Sequence, residues 1–357
     1  MDAHRTRALH LAFDPLFFEH RSRGYHPERP ERLEAARRGV ARCEARGVRA
    51  LALAPRDALD EELARIHNPA YLVDLARLAG HHAALDADTY LAPASVAAAR
   101  RAAGGAIALA EVLMAAGEGD PRQGVALVRP PGHHATRDQG MGFCLLNNVA
   151  AAASAALAVG ASRVAVVDWD VHHGNGTQDI FWTDDRVLFI SLHEHPLYPG
   201  TGAAREVGEG AGRGFTINVP LPAASNDAVY RLAFEEIVLP AVRRFRPDLV
   251  LISAGFDAHA RDPLASMMLT EPGYAWMAAS LRAVADEHAG GRLGVVLEGG
   301  YDLTAIETSM EATLLAALGE PALPAAGEVG PRHREAVEAI RRTIEAGADP
   351  IVEVSAR

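Results

Sequence analysis

Six short runs rich in Val, Ile and Leu recur along the chain, at 8–14, 125–128, 163–168, 187–192, 249–254 and 293–297. Each has the length and character of a strand buried on both faces. Between them lie stretches with apolar residues at helical spacing, at 30–46, 69–79, 94–116, 145–159, 226–244, 272–289 and 303–318. This strand–helix alternation predicts an α/β fold, a mainly parallel multi-stranded sheet with helices on both faces. In such sheets ligands bind outside the carboxyl ends of the strands. The residues that follow each run are therefore where chemistry is expected.

Those residues are polar and reactive. The run at 125–128 leads into Pro-Pro-Gly and then His133 and His134. The run at 163–168 ends on Asp168 and continues Trp-Asp-Val-His-His-Gly-Asn, through Asp170 and His172 to Asn175. The run at 249–254 leads to Asp257, and the run at 293–297 leads through Glu-Gly-Gly to Tyr301. A lone Asp-x-His at a strand end is most often a helix cap, since Asp is a favoured N-cap. Several such segments converging on one sheet rim favour a site instead.

Asp170, His172 and Asp257 offer two carboxylates and an imidazole to one divalent cation. Coordination positions stay open for water and a substrate oxygen, which marks a catalytic rather than a structural zinc site. On a strand continuing past 168, Asp170 and His172 share a face. Zinc is the first choice, and the same donors accept Fe(II), Mn(II) or Co(II). His133 and His134 titrate near neutrality and can move protons beside the ion. Asp168 and Asn175 are at hand to fix their second ring nitrogens. Gly299 and its neighbour let backbone approach the site, and the Tyr301 hydroxyl can meet a carbonyl oxygen that gains charge.

Composition narrows the partners. The net charge is −11. That argues against a nucleic-acid binder and suits a cationic partner, such as a Lys-rich peptide or a polyamine. All 35 Lys-plus-Arg residues are Arg, which points to a GC-rich bacterial genome and rules the chain out as its own acetyl-lysine substrate. Two cysteines, Cys43 and Cys144, make no disulfide framework, so a cytoplasmic setting is expected. There is no signal-peptide pattern, and no apolar run long enough to span a membrane. The expected organisation is one catalytic domain over 1–320. A tail over 321–357 follows, with an amphipathic helix near 331–346 that packs on the domain or serves a homo-oligomer contact.

The motifs Arg-Pro-Pro-Gly-His-His-Ala (129–135), Gly-Phe-Cys (142–144), Asp-Trp-Asp-Val-His-His-Gly-Asn-Gly-Thr-Gln (168–178), Ser-Leu-His (191–193), Ala-Gly-Phe-Asp (254–257) and Glu-Gly-Gly-Tyr (298–301) resemble those of the zinc-dependent histone deacetylase family. That family includes bacterial deacetylase-like amidohydrolases, acetylpolyamine amidohydrolases and acetoin-utilisation proteins. The likeness runs from about residue 8 to 320, and Asn175 makes it class II-like. It implies the arginase–deacetylase fold and hydrolysis of acetyl or other acyl groups from N-ε-acetyl-lysine or related acylated amines.

The resemblance also implies roles. Asp170, His172 and Asp257 hold the metal. His133 pairs with Asp168, and His134 pairs with Asn175 and acts as general base and acid. Tyr301 polarises the amide carbonyl. Gly142, Phe143, Tyr198 (Tyr for the usual Phe), Leu264, Asp88 and Gly299 contact substrate, and Arg32 belongs to an internal acetate channel. A structural potassium ion uses Asp168, Asp170, His172, Ser191 and Leu192. Leu264 stands where polyamine-selective relatives carry Glu, which favours a peptide or apolar amide over an acetylated polyamine. The alternatives are an acetylpolyamine or other small-molecule amidohydrolase, and a non-catalytic acyl-amine binding module. A ureohydrolase on the same architecture needs a second metal and more carboxylates.

Overall fold

The apolar runs assemble side by side into one eight-stranded sheet. The computed structural model describes residues 7–322 and 327–347. Its strands are β1 (Ala8–Ala12), β2 (Arg49–Ala52), β3 (Ala83–Ala84), β4 (Tyr90–Leu91) and β5 (Gln123–Ala126). They continue with β6 (Val164–Asp168), β7 (Val187–Glu194), β8 (Thr216–Leu221), β9 (Leu249–Ala254) and β10 (Leu293–Leu297). The short β3 and β4 form a separate antiparallel pair. The other eight run β2-β1-β5-β10-β9-β6-β7-β8, every neighbouring pair parallel.

The helices are α1 (Pro30–Ala45), α2 (Asp60–Leu63), α3 (Pro69–Arg77), α4 (Ser95–Ala115), α5 (Asn148–Ala158) and α6 (Asn175–Phe181). Then come α7 (Asp227–Ala233), α8 (Leu239–Phe245), α9 (Glu271–His288), α10 (Leu303–Ala317) and α11 (Pro331–Gly347). Helix α4 packs on α5, while α1 and α9 both pack on α10. β6, β9 and β10 are buried along their whole length, as strands covered on both faces must be. Ala-rich α5 is buried on nearly every side, which suits a helix with no polar stripe.

The order places the site. Strands β5, β10, β9 and β6 are consecutive in the middle of the sheet. Their carboxyl ends lead to His133 and His134, Tyr301, Asp257, and Asp170 with His172, respectively. Four distant segments thus meet on one rim.

Where the structure departs from the sequence reading, the reasons are local. Both sheet edges, β2 and β8, are strands that apolar patterning misses. β2 reads Arg-Ala-Leu-Ala, without β-branched residues. β8 contains Pro220, which an edge strand tolerates because no ladder bond is lost. The helix expected over 226–244 is split by a π-helical turn, Phe234–Val238. Pro240 lies just beyond, and its missing N–H and its ring both oppose regular helix there. Helix α5 starts later than expected because Asn147 caps it, accepting from Ala150 N at 3.0 Å. Strand β6 does not continue past Asp168: residues 169–174 form a loop, so Asp170 and His172 do not meet as strand neighbours. Helix α11 packs on β8 and α7 through Val337 and Ile340. Residues 323–326 and 348–357 of the tail, and 1–6 of the expected domain, lie outside the described residues.

Candidate metal centre

The loop after β6 turns Asp170 and His172 toward the end of β9. His172 Nδ1 lies 3.2 Å from Asp170 Oδ1 and 3.3 Å from Asp257 Oδ2. One ligand atom from each of the three residues falls within 4.8 Å of the others, the one such group among the described residues. The second oxygen of each carboxylate is tied down: Asp257 Oδ1 accepts from Val171 N at 2.8 Å and Asp170 Oδ2 from Gly299 N at 2.8 Å. Asp257 Oδ2 is buried with no hydrogen-bond partner. A buried, unpartnered carboxylate oxygen is costly unless a cation meets it. Burial and the neighbouring Asp170 push the Asp257 carboxyl up. Burial opposes charge on His172, but Asp170 and Asp257 override it and raise the imidazole to about 10. The cluster therefore demands positive charge, and this mixed nitrogen–oxygen donor set fits a divalent transition metal.

Gly299 is part of this arrangement. A Cβ there would meet Asp257 Oδ2 and Asp170 Oδ2, the latter at 2.5 Å. Gly299→Ala is expected to lower metal affinity about 10–100-fold, the scale of a disturbed ligand support. Metal content after dialysis against a weak chelator checks it.

The two adjacent histidines sit in opposite states. His133 Nδ1–H donates to Asp168 Oδ2 at 3.0 Å, and its Nε2 lies 3.7 Å from Asp170 Oδ1. Burial works against its charge, but Asp170 and Asp168 hold the imidazole well above its ordinary value. His134 Nδ1–H donates to Asn175 Oδ1 at 2.7 Å. Burial, then repulsion from His133 and His172, holds His134 well below its ordinary value. One imidazole is thus a fixed cation and the other a neutral ring with Nε2 free. Two titratable neighbours driven apart in this way mark an acid–base site.

Both rings line a cavity of about 430 Å³, together with His172, Tyr301 and Gly299. Tyr301 brings a phenol that burial, with Asp257 and Asp170, keeps well above its ordinary value despite Arg32. It is therefore a protonated donor. Phe143, Gly142, Tyr198, Leu264 and Asp88 also line the cavity. Tyr198 meets His134 edge-on at 5.1 Å, and Phe143 meets Tyr301 edge-on at 6.0 Å. Gly142 and Phe143 both take positive φ, 55° and 70°. Phe143 thereby holds a backbone conformation that a non-glycine residue adopts only under constraint.

Arg32 is not among the residues that line the cavity. It is buried behind Tyr301, where its guanidinium donates to the carbonyls of Glu298 and Gly300 and to Glu28 Oε1. It also stacks over the Tyr301 ring at 4.9 Å. Ser191 and Leu192 are buried in β7, with Ser191 in register with Asp168.

Three supporting residues escaped the sequence reading. Glu298 is buried at the end of β10 and accepts from Gly132 N at 2.7 Å and His133 N at 3.1 Å, fixing the histidine loop. Asp262 Oδ2 accepts from Tyr301 N at 2.6 Å and Asp302 N at 3.2 Å, fixing the tyrosine turn. Met141 Sδ receives a hydrogen bond from Asn175 Nδ2 at 3.4 Å, turning the Asn175 oxygen toward His134. Glu298 opens the motif at 298–301 and Asp262 lies two residues before Leu264, and only their burial reveals the role. Met141 carries no sequence signal.

A parallel sheet bearing a metal-ready triad and two histidines on its carboxyl rim is the arginase–deacetylase architecture. The chain belongs to the histone deacetylase family: the profile described as Histone deacetylase domain matches residues 26–317. It is 41% identical over 298 residues to a "Probable deacetylase" of Archaeoglobus fulgidus, covering 82% of this chain and 81% of that protein. It is 40% identical over 324 residues to the "Polyamine deacetylase HDAC10" of Homo sapiens, covering 85% of this chain and 46% of that protein. The solved "HDA15 HD domain" superposes with a TM-score of 0.86 at 39% identity, covering 96% of this chain and 95% of that one. The chain spans about half the length of several plant and human relatives.

Proposed function

We propose that the chain is a metal-dependent deacylase of N-ε-acetyl-lysine in peptides or of related acylated amines. Asp170, His172 and Asp257 would hold the ion, zinc first. When bound, a divalent ion polarises a carbonyl and makes water a nucleophile near neutral pH. His134 Nε2 takes the proton from the attacking water and returns it to the leaving amine. The Tyr301 hydroxyl donates to the carbonyl oxygen as it gains charge. His133 stays cationic and balances negative charge, and Phe143 and Tyr198 flank the aliphatic stem. A potassium ion over Asp168, Asp170, His172, Ser191 and Leu192 would stiffen the loop beneath.

One observation carries this reading: His134, held below the ordinary imidazole value by burial and its neighbours, lines the same cavity as His172 of the metal-ready triad. The test is turnover of acetyl-lysine peptides with and without a chelator. Turnover that stops on chelation and returns with zinc supports it. No turnover on any acylated amine would sink it. Tyr301→Phe is expected to lower kcat about 10²–10³-fold with little change in KM, since its donor acts on developing charge.

An acylated polyamine is the second reading. Asp88 lines the cavity, and Asp86 stands beside it, accepting from Asp88 N and Thr89 N at 3.1 and 2.6 Å. Two carboxylates at the mouth suit a second cationic amine, and the human relative's name says polyamine deacetylase. Against it, half-exposed Leu264 and Tyr198 make the rest of the mouth apolar. The ratio of kcat/KM for an acetyl-lysine peptide to that for an acetylated polyamine decides between them.

A further inference from the structure

A second cavity, of about 290 Å³, opens where the histidine loop passes the end of α6. Three guanidinium groups line it. Arg65 comes from the turn after α2, Arg137 from the loop three residues past His134, and Arg186 from the residue before β7. Ser154, Leu157 and Phe181 form the remaining wall.

The only lining carboxylate is Asp184, and it is already spoken for. Arg186 Nε donates to its Oδ1 at 2.9 Å and Nη2 to its Oδ2 at 2.7 Å. That pair is charge-balanced. Arg137 Nη2 donates to Ile180 O at 2.7 Å, which fixes the guanidinium without neutralising it. Just outside, Glu62 pairs with Arg56 at 2.9 and 2.8 Å, whereas Asp179 and Asp138 keep their charge and accept only from Arg137 N at 2.9 Å and Asn68 Nδ2 at 3.0 Å. Arg65 and Arg137 form no ion pair among the described residues. The lining thus carries two guanidinium groups without an ion-pair partner, within a chain of net charge −11.

We propose that this cavity binds a compact dianion, the phosphate of a small phosphomonoester. Guanidinium forks match phosphate oxygens in paired hydrogen bonds, and two uncompensated cations match a dianion. The Ser154 hydroxyl adds a donor, and Leu157 and Phe181 give the organic part an apolar wall. The site lies apart from the metal centre but is tied to it. Gly176 N and Thr177 N donate to His133 O at 3.0 and 3.1 Å, and Asn175 heads the same helix. An occupant bridging Arg65, Arg137 and Arg186 would clamp the histidine loop between the turn after α2 and the start of β7, and so bear on catalysis from behind.

The test is calorimetric titration of the full chain with inorganic phosphate and with phenyl phosphate, at constant ionic strength because exposed arginines are screened by salt. The expected result is one binding event that Arg65→Gln weakens about 10-fold or more, the scale of a lost charged hydrogen bond. Arg65 is exposed and distant from the triad, so this variant should melt like the wild type without ligand. Arg137→Gln gives a second, independent loss. Tighter binding of phenyl phosphate assigns a phosphomonoester, and equal binding assigns free phosphate. No binding at millimolar ligand overturns the proposal. So does binding that survives Arg65→Gln but vanishes on chelation, because that ligand sits on the metal. None of these readouts depends on the proposed deacylase activity.

Discussion

Replacing His134 by Ala is expected to lower kcat by about 10²–10⁴-fold, the usual contribution of a positioned acid–base group, while leaving metal content unchanged. The argument rests on protonation state. A base must be neutral before reaction, and burial, then positive charge at His133 and at the His172 position, holds His134 well below its ordinary value. Its Nδ1–H is committed to Asn175 Oδ1 at 2.7 Å, so the free lone pair is on Nε2, inside the cavity. His133 is in the wrong state for that task. Asp170 and Asp168 keep it protonated against burial. Changing Asn175 to Asp extends the test, since a carboxylate on Nδ1 raises the His134 pKa. A base with a raised pKa becomes active only at higher pH, so the acid limb of kcat should move upward. If His134→Ala retained near-normal kcat while His133→Ala did not, the two roles would be exchanged.

The fold was legible wherever burial imposes a pattern. All six interior runs of Val, Ile and Leu became strands, because a strand covered on both faces has no freedom to be polar. The edges β2 and β8 were not legible: one side of an edge strand faces no partner, so composition there is weakly constrained. The triad was legible because its residues follow strands whose sheet rim is a known place for chemistry. The sequence could not supply the backbone between Asp170 and His172, where a loop, not a strand, brings the side chains together. It also could not say which partners hold Arg32: only the positions of the Glu298 and Gly300 carbonyls show where its guanidinium is used. Met141 and Asp262 act through hydrogen bonds that depend on folded geometry alone.

The other large effect is expected from Asp257→Asn, and its sign differs between the metal-free and metal-bound protein. Asp257 and Asp170 are two buried carboxylates sharing one imidazole, and each disfavours charge on the other. Asn keeps an acceptor for Val171 N in place of Oδ1 but removes the charge. The metal-free variant should therefore melt no lower than the metal-free wild type. Metal should separate them. At about 100 times its Kd an ion that binds only the folded state stabilises the wild type by about 2.7 kcal/mol, and Asp257→Asn should lose most of that gain. Activity should fall about 10³-fold or more, because Lewis-acid assistance contributes several kcal/mol to lowering a barrier. Thermal melts with and without zinc, alongside kcat, read both effects. A wild type that zinc does not stabilise would show that the triad is no metal site. A variant stabilised as strongly as the wild type would place the ion elsewhere, and the unpartnered Asp257 Oδ2 would need another explanation.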